Sequence, residues 1–87
     1  MKARHEREYL SRTVNHGEYR ASFYREKPVD ETEWLYVIEV TDGKSTHCLE
    51  ILQNGDFNGS DIARNFGERI ERWVLTVFAN DITEWFP

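Results

Sequence analysis

Asp42-Gly43 stands between two runs that alternate apolar and polar residues, Trp34 to Val40 and Ser45 to Ile51. A two-residue hairpin loop of type I′ needs positive φ at both central positions, and Asp-Gly meets that need well. Outward from such a loop, Val40 faces Ser45, Ile38 faces His47, Tyr36 faces Leu49 and Trp34 faces Ile51. This set forms a nearly continuous apolar surface, as a core-facing sheet requires. On the other side Glu39 faces Thr46, Val37 faces Cys48 and Leu35 faces Glu50. A one-residue slip would exchange the two faces, so the hairpin is strongly specified.

Upstream, Tyr19, Ala21 and Phe23 alternate with Arg20, Ser22, Tyr24 and Glu26, the pattern of a half-buried strand. Lys27 through Thr32, with Pro28, Asp30 and Glu31, suits a turn into the hairpin. Asn15-His16-Gly17 reads as a three-residue hairpin loop, and Tyr9 to Val14 as a further edge strand. Ala3 to Leu10 is equally compatible with a short charged helical turn.

Downstream, Ile62, Phe66, Ile70, Trp73, Val74, Val77 and Phe78 fall on one face of a helix, with Arg64, Asn65, Glu68, Arg69, Glu71 and Arg72 opposite. Ser60 or Asp61 can cap its start, and Asn80 is a suitable stop. Gly67 in mid-helix would cost about 1 kcal/mol relative to alanine, and a close approach to the sheet would explain it. The expected fold is α+β: an antiparallel β-meander of three or four strands, followed by one long C-terminal amphipathic helix packed on one sheet face. With the helix over the Trp34/Tyr36/Ile38 face, Trp73→Ala is expected to cost about 3–5 kcal/mol.

At 87 residues the chain has room for a single domain spanning 1–87, with 1–12 as either an edge or a flexible segment and 82–87 as an apolar tail. Twelve aromatic residues supply a core in spite of a net charge of −5. Trp73 to Ala79, broken only by Thr76, is the longest apolar stretch, too short to span a bilayer, and the N-terminal region lacks the apolar core of a signal peptide. The single cysteine, Cys48, forms no internal disulfide, and the expected compartment is cytoplasmic. One helix covers one sheet face, leaving Leu35, Val37, Cys48 and Leu52 on the other. Either the tail Ile82 to Pro87 folds back over that second face, or one of the two is open to a partner.

Chemical motifs are few. His47 and Cys48 are adjacent, but neighbours on a strand point to opposite faces and cannot share a proton. His5, His16 and His47 lack ligand spacing, so no metal and no cofactor are expected. Asn54-Gly55-Asp56-Phe57-Asn58-Gly59 resembles the opening of a calcium loop, yet Asn65 stands where a bidentate acid is needed. Two glycine-containing turns account for it better. The chain contains no phosphate-cradling glycine loop and no nucleophile elbow.

Charge divides along the chain, +3 over residues 1–27 and −8 over residues 28–87. The chain therefore reads as a small acidic, non-enzymatic protein–protein interaction module. One form is an inhibitor that blocks a basic nucleic-acid-binding surface of its target. Phage-encoded inhibitors such as anti-CRISPR proteins offer an analogy of size and charge alone. The expected partner-binding residues are Asp30, Glu31, Glu33, Leu35, Val37, Trp85 and Phe86. An alternative is a single-stranded nucleic-acid-binding protein that uses Arg12, Arg20, Tyr24 and Arg25, against which the net negative charge works. A second alternative is a homodimeric structural protein whose sheets pair through Leu35 and Val37.

Overall fold

The computed structural model describes residues 5–52, 56–58 and 60–85. Its strands are β1 (His5–His16), β2 (Tyr19–Pro28), β3 (Leu35–Thr41), β4 (Thr46–Ile51) and the two-residue β5 (Phe57–Asn58). They form one antiparallel sheet in chain order, β1-β2-β3-β4-β5. Three helices follow, α1 (Asp61–Phe66), α2 (Glu68–Val77) and α3 (Ala79–Trp85). The expected meander is present, with a short fifth strand, and residues 5–12 belong to its outer edge.

The β3–β4 hairpin keeps the expected faces but not the expected loop. Thr41 pairs with Thr46, Ile38 with Leu49 and Tyr36 with Ile51, two residues further along β4 than a two-residue loop would give. The Asp42 side chain causes the difference, accepting hydrogen bonds from the backbone N–H groups of Lys44 and Ser45, each at 2.9 Å. An Asx turn thus replaces the type I′ loop, with Gly43 at φ +92°. A shift of two preserves every side chain's face.

β1 and β2 join through a tighter loop than expected. His16 pairs with Tyr19, leaving Gly17 (φ +59°) and Glu18 as the loop. Only the first of these two residues has positive φ, the pattern of a type II′ turn. Further along, Tyr9 pairs with Tyr24 and Thr13 with Ser22, so β1 carries two extra residues in a bulge that holds Ser11 at φ +57°.

Ala21, Phe23, Tyr36, Ile38, Val40, Leu49 and Ile51 form the sheet side of the core, against Ile62, Ile70, Val74 and Phe78 from the helical layer. Each fully buried aliphatic or phenyl side chain contributes roughly 1.5–3 kcal/mol by leaving water. The layer is not one long helix. Gly67, at φ +98° and ψ 158°, ends α1 and begins α2, in a conformation open essentially to glycine alone. No heavy atom other than those of its chain neighbours lies within 4 Å of a Cβ built there, so its conformation and not close packing calls for glycine. A second break at Phe78 separates α2 from α3, just after Thr76 turns its hydroxyl back onto the Arg72 carbonyl at 2.8 Å. Asn80 lies inside α3 and does not stop the helical layer. Ser60 caps α1, its Oγ accepting from the Ala63 N–H at 3.3 Å.

The described part of the tail, Ile82 to Trp85, lies on the helical side of the sheet. Ile82 packs against the core, and the Trp85 ring lies 5.4 Å from that of Tyr36, a core-facing residue. The opposite sheet face is therefore not covered by α3. Phe86 and Pro87, with residues 53–55 and 59 of the calcium-like segment, lie outside the described residues.

Candidate interaction surface at one end of the sheet

The antiparallel register brings the end of β2, the start of β3, the end of β4 and the start of β5 to one end of the sheet. His5 pairs with Pro28, Glu26 with Leu35, Tyr36 with Ile51 and Ile51 with Phe57. Trp85 reaches the same end through Tyr36. Of the five large apolar side chains left exposed among the described residues, four belong here: Val29 (48%), Phe57 (41%), Leu52 (39%) and Trp85 (38%). The fifth, Tyr9, stands on the face opposite the helices and leans on Tyr24 at 5.5 Å. Exposed apolar groups gathered at one place are a common mark of a contact surface.

Between these elements lies a cleft of about 430 Å³, whose apolar lining comes from Pro28, Trp34, Leu35, Ile51 and Leu52. Glu26, Glu31 and Glu33 supply its carboxylates, with Lys27 and His5 beside them. A shallower recess is formed by the connecting segment itself, Asp30 to Glu33. The turn that makes this segment is held by the Glu31 N–H donating to the Pro28 carbonyl at 3.1 Å.

The lysine and arginine described near the cleft are already engaged. The Lys27 ammonium pairs with Glu6 at 3.1 Å and lies 5.1 Å from the Trp34 ring centroid. Arg25 donates to Glu8 at 2.8 Å and stands 4.1 Å from the same centroid. Cross-strand pairing explains both contacts, because Glu6 sits opposite Lys27 and Glu8 opposite Arg25. The Glu8 hydrogen bond holds the Arg25 guanidinium above its ordinary pKa. By contrast, Asp30, Glu31 and Glu33 are exposed and form no ion pair among the described residues.

The expected partner-binding residues are thus placed unequally. Glu31, Glu33 and Leu35 line the cleft, Asp30 adjoins it, and Trp85 lies at the same end of the sheet. Val37 is only 2% exposed, set between Tyr24 and Glu50 on the helix-free face, and offers a partner no area. Pro28 and Trp34 were not expected at this surface, and Leu52 was expected on the sheet's second face but not at a cleft. Their signal was the turn after β2, which fixes which strand ends meet; it begins at Pro28 and not at Lys27, because both residues still pair with β1.

The residues proposed for nucleic acid do not share a surface. Arg20 and Tyr24 face away from the helices, and Arg20 donates to Asn15 at 3.2 Å. Arg12 lies on the helical side, 5.6 Å from the Phe78 ring centroid and 3.4 Å from Asp81. Arg25 is also on that side, over Trp34. On the helix-free face Arg7 lies over Tyr24 at 3.9 Å and pairs with Glu39 and, at 3.8 Å, with Glu26. Burial works against its charge, but these carboxylates outweigh burial and leave its pKa raised. That face therefore presents an arginine already neutralised by acids.

His47 and Cys48 point to opposite sides, as strand alternation requires. His47 meets Phe66 edge-on at 5.0 Å on the helical side, while Cys48 pairs with Glu39 across β3. Burial lifts the Cys48 thiol above its ordinary pKa, with the Glu39 charge adding to the effect. Among the described residues no three His, Cys, Asp or Glu side chains gather to hold a metal ion. No described helix is long and apolar enough to cross a membrane. No family model matches the chain, and neither a curated protein nor a solved structure matches it.

Proposed function

We propose that this chain is a non-catalytic protein-interaction module that docks through the acidic, apolar end of its sheet onto a basic surface of another protein. An inhibitor that occupies a nucleic-acid-binding groove of its target would work in this way. The observation that carries the reading is the coincidence of four exposed large apolar side chains with Asp30, Glu31 and Glu33, three carboxylates that form no ion pair among the described residues. Apolar anchors supply affinity at such a surface, and the carboxylates steer encounter and select for basic partners.

The test compares the wild-type chain with a variant carrying Asp30→Lys, Glu31→Lys and Glu33→Lys, each immobilised and exposed to lysate of the encoding organism. A basic protein retained by the wild type, lost by the variant and displaced by an oligonucleotide supports the reading. Its association rate with the variant should fall by about tenfold or more at low salt. Retention of the same proteins by both chains overturns it.

A further inference from the structure

Resting on that reading, we infer that the cleft takes a short extended peptide in which an aliphatic side chain is flanked by arginine or lysine. The cleft's volume, about 430 Å³, lies at the lower end of the range for discrete ligand sites and suits one side chain with its neighbouring backbone. Its apolar lining, Trp34, Leu35, Ile51 and Leu52 with Pro28, accepts an aliphatic group. Glu31 and Glu33 stand at the same cleft with no cation paired to them among the described residues, while its lysine is committed to Glu6 at 3.1 Å. A cationic side chain on either side of the anchor would meet these carboxylates from outside the apolar lining.

The same charges select against other occupants. A second copy docked here about a two-fold axis would bring Glu31 and Glu33 against their own counterparts, a like-charge contact that costs affinity. Phosphate groups of a nucleic acid or an anionic membrane would meet the exposed carboxylates of Glu31 and Glu33. An uncharged peptide would fill the apolar part but leave the acids unanswered.

The experiment uses the full chain, labelled with nitrogen-15, and three blocked peptides: Gly-Arg-Leu-Arg-Gly, Gly-Gln-Leu-Gln-Gly and Gly-Arg-Ser-Arg-Gly. At about 50 mM salt the first should shift the Trp34 indole N–H and the Leu35 and Leu52 amides, and its affinity should fall on going to about 200 mM. Each control should bind roughly fivefold more weakly or less, the factor that about 1 kcal/mol represents. Glu31→Lys with Glu33→Lys should abolish the preference for arginine over glutamine. Leu52→Ser, at a position 39% exposed, should keep the dispersed spectrum of the folded chain yet lose the preference for leucine over serine. Shifts confined to another surface, no shifts, or equal responses to the arginine and glutamine peptides would overturn the inference. Peptide binding at the cleft alongside protein capture indifferent to charge reversal supports the inference and overturns the functional reading. Charge-sensitive capture with no peptide binding overturns the inference alone.

Discussion

The Phe23 ring of β2 meets the Phe78 ring between α2 and α3 at 5.8 Å, and both side chains are fully buried. This contact joins the sheet to the helical layer at the point where that layer breaks. Phe78→Ala should therefore cost about 3–5 kcal/mol. Trp73 is only partly buried and stacks on the exposed His16 at 5.0 Å, so Trp73→Ala should cost clearly less than the value expected of a core tryptophan. Chemical denaturation of the two variants checks the order, and equal losses would contradict the packing described.

Gly67 offers a test with opposite signs. In a regular helix Gly67→Ala would stabilise by about 1 kcal/mol. With φ at +98° and ψ at 158°, any Cβ is strained, and the substitution should instead destabilise by about 1–3 kcal/mol. A thermal melt of this one variant decides between a continuous helix and the broken one.

Asp42 makes the hairpin sensitive to acid. Backbone hydrogen bonds from Ser45 and then Lys44 hold its carboxyl below the usual carboxylate range. A depressed folded-state pKa gives stability that is present above the unfolded value, roughly 3.9, and is lost as pH falls through the folded value. Asp42→Ala should lower Tm at neutral pH, and the gap from wild type should close as the solution becomes more acid than roughly pH 4. A gap of constant size across that range would remove the carboxylate from the explanation.

Cys48 should behave as a quiet thiol. Its pKa is raised by burial, which leaves less thiolate to react at neutral pH. Iodoacetamide should modify the folded chain more slowly than a free cysteine, with the rate rising to the free value in denaturant. Rapid modification of the folded chain would contradict the environment described.

Much of this arrangement is legible in the residues. The alternation around Asp42-Gly43 identifies both faces of the central hairpin, because parity survives an error of two in loop length. The apolar rhythm from Ile62 to Phe78 identifies the buried side of the helical layer, yet it cannot reveal the breaks. Three short helices in sequence carry the same stripe as one long helix, and only the backbone angles of Gly67 and Phe78 distinguish them. β1 shows the opposite sensitivity. A three-residue loop at Asn15-His16-Gly17 would place Arg12 opposite Arg20, whereas the observed two-residue loop pairs Val14 with Ala21 and carries Arg12 to the other face. At the candidate surface, the acids from Asp30 to Glu33 and Leu35 are evident as exposed chemistry. Trp34 and Leu52 are not, because alternation assigns each a sheet face but does not show that a cleft opens between their strand ends.

Both of the sheet's departures from simplest pairing come in twos: the extra pair of residues bulging from β1 and the hairpin loop two residues longer than the minimum. Even-numbered change leaves every side chain on its own side of the sheet. The fold should therefore accept insertions or deletions in pairs at 10–12 and 42–45 during divergence. A single-residue change between Leu10 and Arg12 would put one of the two on the wrong face, turning Leu10 outward or taking the Arg12–Asp81 contact off the helical side. Length variation here is quantised, and a survey of natural variants of this chain should find the odd steps missing.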